Sequence, residues 1–136
     1  MENNIKVGSN FIFDFIFDQD DVINFAKASG DDNPIHLDEE YAKRTIFKRR
    51  ILHGFLGGSV FSKVFGTIFP GNGTIYLKQN MVFLKPMFTD TKYTAKFLVT
   101  EVFSEKNRAN VRTEIFDVNN DLIIGGEALI MHHSIF

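Results

Sequence analysis

Apolar and polar positions alternate near the start of the chain and again through its second half. Between residues 11 and 17, phenylalanine stands at every second position, and this two-residue period predicts a first β-strand. Four later segments have the same character and predict four more strands, over residues 75–84, 92–103, 109–118 and 121–131. Short polar turns at 104–107 and 119–120 separate the later strands. We therefore predict that these four strands form an antiparallel meander.

Two short helices are predicted between the first strand and the middle of the chain. Residues 22–28 carry the apolar positions of the first helix, which Asp18, Asp20 or Asp21 can cap. Gly30 ends this helix, because glycine readily adopts the left-handed conformation that follows a last helical turn. Residues 31–34 then favour a turn, and Asp38 is placed to cap a second short helix over residues 39–42.

One long helix is predicted over residues 53–69. Apolar side chains cover most of its circumference, so we expect this helix to be buried. Small residues recur at every fourth position and form a narrow stripe, at Gly54, Gly58, Ser62 and Gly66. Each glycine costs roughly 1 kcal/mol of helix stability relative to alanine. The stripe therefore suggests that a sheet, a partner helix or a ligand approaches the helix closely.

These elements predict an α+β fold in which an antiparallel sheet wraps around the long helix. The length of 136 residues favours a single domain over residues 1–136. The net charge of -2 argues against nucleic-acid binding through phosphate contacts. The absence of cysteine excludes disulfides, thiolate nucleophiles and cysteine-based metal sites. The start of the chain lacks the pattern of a secretory leader, and no apolar run is long enough for a membrane span, so we expect a cytoplasmic protein that does not enter a membrane.

Asp31 and His36 are the first candidates for catalysis. They flank the turn at Asn33 and Pro34, and this turn can present a carboxylate and an imidazole to one point in space. Such a pair, sharing a water molecule, can act as general acid and base. The alternative is that Asp31 and Asn33 only make hydrogen bonds within the turn and that His36 is a surface histidine.

The start of the long helix is the second candidate site. The first backbone N–H groups of a helix have no partner within the helix, and the helix dipole is positive there. Gly54, next to His53, would let a ligand carbonyl approach these donors as in an oxyanion site, whereas a plain helix start is the alternative. Ser62 lies two turns further along the stripe, and a buried serine there would bond to its own helix rather than act as a nucleophile.

Basic residues cluster just before the long helix, at Arg44, Lys48, Arg49 and Arg50. They could bind the phosphates of a nucleotide-bearing substrate, with Arg49 and Arg50 as the contacts, or they could form a solvated surface. The four histidines of the chain, at positions 36, 53, 132 and 133, show no metal-ligand spacing, so we expect no metal.

Residues 28–42 contain the pattern S-G-D-x-N-P-I-H-x-x-x-x-x-A, which resembles the hydratase motif of the MaoC-like, (R)-specific enoyl-CoA hydratases. The resemblance extends through the long helix to residues 126–128 and so covers nearly the whole chain. It implies a hot-dog fold and a homodimer with its active sites near the interface. It also implies reversible syn addition of water to a trans-2-enoyl-CoA, which gives an (R)-3-hydroxyacyl-CoA. No cofactor is implied, because CoA is part of the substrate.

The resemblance also assigns roles to individual residues. Asp31 would take a proton from the water, and His36 would orient that water and help to deliver a proton to the α-carbon. The N–H of Gly54 would donate to the thioester oxygen. Other positions match supporting parts of the family's site, namely His53 and Ser62 beside the substrate, and Asn33 and Pro34 in the turn.

Two other functions stay open at this point. A hot-dog thioesterase would direct the water at the thioester carbonyl instead of the β-carbon. A non-catalytic acyl-CoA-binding subunit would need no acid–base pair. The presence of both Asp31 and His36 argues against these two, whereas an acyl carrier protein could still replace CoA as the carrier.

Overall fold

Five strands and four helices follow one another along the chain in this computed structural model, which describes residues 4–136. Residues 1–3, which belong to the N-terminal segment assessed above for a leader, lie outside the described residues. The first half contains β1 (Asn10–Phe15), α1 (Gln19–Ser29), α2 (Pro34–Leu37), α3 (Glu39–Lys43) and α4 (Gly54–Thr67). The second half contains β2 (Ile75–Phe83), β3 (Tyr93–Phe103), β4 (Arg108–Phe116) and β5 (Leu122–Met131).

The strands form a single antiparallel sheet with the order β1-β3-β4-β5-β2. Strands β3, β4 and β5 form the predicted meander, because short polar turns join them. The prediction was wrong for β2, which pairs with β5 at one edge of the sheet instead of with β3. The nine residues between β2 and β3 include Pro86 and are too many for a tight hairpin. These residues connect β2 at one edge of the sheet to β3, which lies next to β1 near the opposite edge.

Helix α4 lies against the sheet and supplies much of the core. The rings of Phe61 and Phe65 meet Phe97 of β3, with centroids 5.7 and 5.3 Å apart. The phenylalanines of β1 pack against the same core, as their alternation predicts. Burial of these large rings supplies the main driving force for the fold, since the free energy scales with the apolar area removed from water.

The outer face of α4 is exposed, which corrects the prediction of a helix buried on nearly all sides. Phe55 is 67% exposed, and Ser62 is exposed as well. The small-residue stripe is explained in part by the sheet. A β-carbon on Gly54 would lie 2.7 Å from the Phe83 ring, and one on Gly58 would lie 2.7 Å from the sulfur of Met81. Both neighbours belong to β2, so a strand makes the close approach.

Local capping positions the segment that carries the candidate site. Asp18 caps α1 and Asp38 caps α3, as predicted. Helix α2 is a single turn that the sequence reasoning missed. It begins at Pro34, and the side chain of Asn33 accepts a hydrogen bond from the N–H of Ile35. Proline fits the first turn of a helix because no intrahelical donor is lost there. Within residues 4–136, no helix is both long and apolar enough to cross a membrane.

Candidate active site

The loop after α1 presents Asp31 at the surface. Gly30 has a φ of 81°, a left-handed conformation that ends the helix and turns the chain. The carboxylate of Asp31 accepts a hydrogen bond from the N–H of Asn33 at 3.3 Å, and Asn33 in turn caps α2. These two successive side-chain bonds hold the loop in one shape and bring Asp31 close to His36.

His36 is 8% exposed and is held in a defined orientation on α2. Its Nδ1 lies 2.8 Å from the carbonyl oxygen of Ile51. A carbonyl only accepts, so Nδ1 donates, and Nε2 is left for a water or a substrate. Burial lowers the pKa of His36 below the usual histidine value, although the bond to Ile51 opposes this shift. The imidazole is therefore neutral, and able to accept a proton, at a lower pH than an exposed histidine.

His53 lies behind this pair. It is 2% exposed, and its ring stacks on His36 with centroids 3.8 Å apart and an interplanar angle of 28°. Its Nε2 lies 2.9 Å from the backbone carbonyl oxygen of Asp31. His53 is absent from the residues that line the cavity described below. Its hydrogen-bonding N–H is thus used within the protein, and a contact of His53 with the substrate stays a prediction.

A cavity of about 470 Å³ opens beside His36 and the start of α4. Most of its wall is apolar, contributed by Phe47, Ile51, Leu52, Phe55, Phe83, Leu84, Pro86, Met87 and Ile124. Gly54 lies on the same wall at the first position of α4, and no side chain caps this helix. Its first N–H groups are therefore available to a ligand oxygen, at the positive end of the helix dipole. The cavity combines an apolar lining with an imidazole and backbone donors.

Asp31, His36 and His53 each present a ligand-type atom within 4.8 Å of the other two. Two imidazoles and a carboxylate form a familiar donor set for divalent metals. A ring nitrogen binds a metal in the plane of its ring, however, and these two rings are stacked face to face. Stacked rings do not direct their lone pairs at a common point. The arrangement therefore suits proton transfer better than metal binding.

Of the predicted site residues, His36 and Gly54 line this cavity, whereas Ser62, Arg49 and Arg50 neither line it nor contact His36. Ser62 is exposed and stands eight residues beyond Gly54, which is about 12 Å along a helix. Ser62 is therefore not among the residues that line this cavity, and its place beside the substrate stays a prediction. The guanidinium of Arg49 lies over the ring of Phe88, 3.6 Å from its centroid. Arg50 pairs with Glu39 at 3.0 Å.

Other residues of the site were missed by the sequence reasoning. The carbonyl of Ile51 orients His36 from 15 residues away, and the side-chain amide of Gln19 donates to the carbonyl oxygen of His36 at 3.0 Å. Lys85 lines the cavity and pairs with Asp121 at 3.0 Å. No local pattern identifies these residues, because their contacts form only when distant parts of the chain meet.

Comparison with known proteins identifies the family. A family model described as MaoC like domain matches residues 2–120. The chain is 38% identical to an (R)-specific enoyl-CoA hydratase of Aeromonas caviae over 93% of this chain and 94% of that protein. It is 36% identical to a 3-hydroxybutyryl-CoA dehydratase of Methylorubrum extorquens, over 93% and 80% of the two chains.

Solved structures are similar over almost the full length. The (R)-hydratase of A. caviae superposes with a TM-score of 0.91 at 37% identity, over 96% of this chain and 98% of that chain. The predicted hot-dog fold is therefore confirmed. The motif around Asp31 and His36, the fold and the match across residues 2–120 agree. The chain belongs to the MaoC-like domain family.

Proposed function

We propose that this protein is an (R)-specific enoyl-CoA hydratase that also catalyses the reverse dehydration. It would add water across the double bond of a trans-2-enoyl-CoA and release an (R)-3-hydroxyacyl-CoA. One observation carries the proposal: His36 and the unpaired N–H of Gly54 share one apolar cavity, and Asp31 lies within reach of His36. The names of the two relatives, a hydratase and a dehydratase, support the same reaction in its two directions.

The reaction can be assigned to this chain's own groups. Asp31 takes a proton from the water that His36 orients, and the water oxygen bonds to the β-carbon. The electron pair of the double bond moves toward the thioester, and the proton that Asp31 took from the water passes to the α-carbon with help from His36, which leaves Asp31 ionised again. Both atoms are added to the same face, because the water and the acid–base pair lie on one side of the substrate.

The N–H groups at the start of α4 would stabilise the charge that develops on the thioester oxygen. Donors that are already in place cost no reorganisation during the reaction, which makes such sites effective. The thioester makes the α-carbon acidic, so the proposed reaction draws on no cofactor, and the protein contributes placement and electrostatics. CoA is the carrier in the proposal, and an acyl carrier protein would present the same thioester.

The direct test is to add the purified protein to crotonyl-CoA and to follow the loss of the enoyl-thioester absorbance. An (R)-specific dehydrogenase would report the chirality of the product, and a thiol reagent would report free CoA. We expect rapid loss of absorbance, (R)-3-hydroxybutyryl-CoA and no free thiol. Thiol release would indicate a thioesterase. No turnover with short enoyl-CoA, long enoyl-CoA and carrier-protein substrates would indicate a non-catalytic binding subunit.

Arg49 and Arg50 are proposed to contact the phosphates of CoA. The salt bridge to Glu39 leaves Arg50 able to contact a phosphate instead, because this bridge is partly exposed and such bridges contribute at most about 1 kcal/mol. We expect the Arg49→Ala, Arg50→Ala double variant to raise KM for crotonyl-CoA about tenfold, the effect of losing about 1.4 kcal/mol of binding. The value of kcat should change little.

Two comparisons make this prediction specific. The double variant Lys96→Ala, Arg112→Ala is the matched control, because Lys96 also covers a ring and Arg112 also pairs with a carboxylate. It should leave KM unchanged. Crotonyl-pantetheine, which lacks the nucleotide phosphates, should bind equally well to the wild type and to the Arg49, Arg50 variant. An unchanged KM for crotonyl-CoA would rule out the phosphate role.

A homodimer formed through the free edge of β2 is the second part of the proposal. Within residues 4–136, this strand pairs with β5 alone, and its outer edge is open. Exposed apolar side chains surround it, namely Phe55, Ile75, Leu77, Val82, Phe83 and Leu84. An open apolar edge strand is prone to pair with another chain. Phe55 and Phe83 also line the cavity, so a partner at this edge would complete the wall of the site.

The oligomeric state can be measured by sedimentation equilibrium. We expect the wild type to have twice the 15.6 kDa mass of the chain and the Val82→Lys variant to shift toward the monomer. A lysine at an apolar interface leaves a charge without a partner, which opposes association. Val118→Lys is the matched control, because Val118 is 71% exposed, compared with 58% for Val82, and lies outside β2. A monomeric wild type would contradict the proposal.

A further inference from the structure

His53 is a buried side chain that touches both members of the catalytic pair. Its ring stacks on His36 at 3.8 Å, and its Nε2 donates to the backbone carbonyl of Asp31 at 2.9 Å. We propose that His53 is a positioning residue that sets the distance between Asp31 and His36 and the orientation of the His36 ring. This inference rests on the proposed hydratase function, because it assigns His53 a task for the same pair.

Three elements hold His53 in place. It stands at the start of α4, where it precedes Gly54, and it is 2% exposed. Phe25 of α1 packs on it with ring centroids 4.7 Å apart, and His36 of α2 stacks on it as well. A side chain enclosed in this way has little rotational freedom. The fixed ring of His53 therefore also fixes the His36 ring that stacks on it and the Asp31 backbone that it bonds.

The hydrogen-bonding pattern determines which ring nitrogen carries the proton. The carbonyl of Asp31 only accepts, so the proton of His53 lies on Nε2. The other nitrogen, Nδ1, is buried without a hydrogen-bond partner. His53 also does not cap α4, although it occupies the capping position. Its imidazole is thus turned toward Asp31, which leaves the first N–H groups of α4 for the substrate.

The stack also affects the charge of His36. Burial lowers the pKa of His36, and the adjacent His53 lowers it further, whereas the Asp31 carboxylate raises it. The ionisable groups that face His36 are therefore Asp31 and His53, and Lys85 lines the same cavity in a pair with Asp121. Replacing His53 by glutamine removes the neighbouring imidazole and part of the cover over His36, and both changes favour the protonated form of His36. A substitution that lowered stability without touching His36 would have no such effect.

Two substitutions separate the contacts of His53. His53→Gln keeps an N–H donor that can reach the carbonyl of Asp31 and removes the ring, whereas His53→Phe keeps a ring and removes the donor. We expect kcat to fall about 100-fold in His53→Phe, since an error of about 1 Å in placement costs about that much. The fall in His53→Gln should be less than about tenfold by the same argument. KM should stay within about twofold of the wild type in both variants, because His53 does not line the cavity.

The pH profile is the readout that a general loss of stability, without a change at His36, would not move. The acid limb of kcat against pH should move to higher pH in His53→Gln, toward the usual histidine value, because His36 then takes up a proton more easily. His132→Gln is the matched control. His132 is also buried and also bonds a backbone carbonyl through Nε2, that of Asn72 at 2.8 Å, but it lies outside the cavity. It should change neither kcat nor the profile.

A nuclear magnetic resonance titration of the histidine side chains requires no turnover and keeps the two proposals distinguishable. In the wild type, the proton of His53 should be found on Nε2, and the pKa of His36 should rise in His53→Gln and stay constant in His132→Gln. A wild type without hydratase activity would overturn the proposed function, while these titrations would still support the link between the two histidines. An active wild type in which neither His53 variant changes kcat or the pKa of His36 would overturn the positioning role.

Discussion

Asp31→Asn and His36→Gln are each expected to lower kcat at least about 100-fold, the usual minimum for a positioned acid–base group. Asparagine keeps the shape of Asp31 and its acceptor for the N–H of Asn33, but it cannot take a proton from water. Glutamine can still donate to the carbonyl of Ile51, but it has no counterpart of the His36 Nε2 atom that would accept a hydrogen bond from the water. The measurement is the initial rate of crotonyl-CoA hydration, with far-UV circular dichroism as the check on folding.

Each of these two substitutions has a matched control at a residue of the same type. Asp32→Asn changes an exposed aspartate of the same loop, and His133→Gln changes an exposed histidine at the end of the sheet. Neither should alter the rate by more than about twofold, because surface changes away from a site have small effects. Near-normal turnover in Asp31→Asn or His36→Gln would mean that the pair does not perform the chemistry.

Gly126→Ala is expected to destabilise the fold by about 3 kcal/mol, the upper part of the usual range for overpacking. A β-carbon at Gly126 of β5 would lie 1.9 Å from the carbonyl oxygen of Asn80 in β2. That neighbour is backbone within a paired strand, so it cannot rotate away as a side chain could. The strand β2 would have to separate locally from β5. Because β2 also carries Phe83 of the cavity wall, hydratase activity should fall as well.

Gly66→Ala is the opposite case and serves as the control. Gly66 lies in α4, and a β-carbon there would meet nothing within 4 Å. Alanine should therefore stabilise the helix by up to about 1 kcal/mol, its propensity advantage over glycine. Urea denaturation at one fixed protein concentration measures both variants, since the stability of the proposed dimer would depend on concentration. Equal stabilities for the two variants would show that the strands can move apart at Gly126.

The helices and strands could be predicted because their signals are local. The alternating phenylalanines of β1 lie on one face and pack on the core, and Asp18, Gly30 and Asp38 form the expected helix ends. Helix α2 was missed, because a single turn contains too few residues for a periodic pattern. Its start at Asn33 and Pro34 resembles an ordinary turn until the backbone is seen.

The placement of β2 could not be predicted in the same way. The residues of β2 show that it is a strand, but its place in the sheet depends on which other strand it can pair with in the folded chain. The close approach between Asn80 and Gly126 shows how specific that partner is, since only glycine allows it. The prediction of a fully buried α4 failed for a related reason. Periodicity reports that a helix is apolar all round, but not how many sides the rest of the chain covers.

The same division applies to the candidate site. Asp31 and His36 stand five residues apart around a rigid turn, so a local motif was sufficient to single them out, together with the family that the motif resembles. Ser62 was placed at the site because it matches a position of the family, and in the structure it lies about 12 Å along the helix from Gly54. His53 was assigned to the site by the same resemblance, but its contacts with Asp31 and His36 depend on three elements that meet in space.

Local chemistry was thus enough to predict the helix caps and the strands and to single out Asp31, His36 and the start of α4 as candidates, because each depends on residues close together in the chain. The position of β2, the carbonyl of Ile51 that orients His36, and the stacking of His53 emerged only from the folded chain. Contacts between residues 15 or more positions apart form through the packing of the whole core. Their free energy comes from burial and geometry, and no short segment of the sequence carries that information.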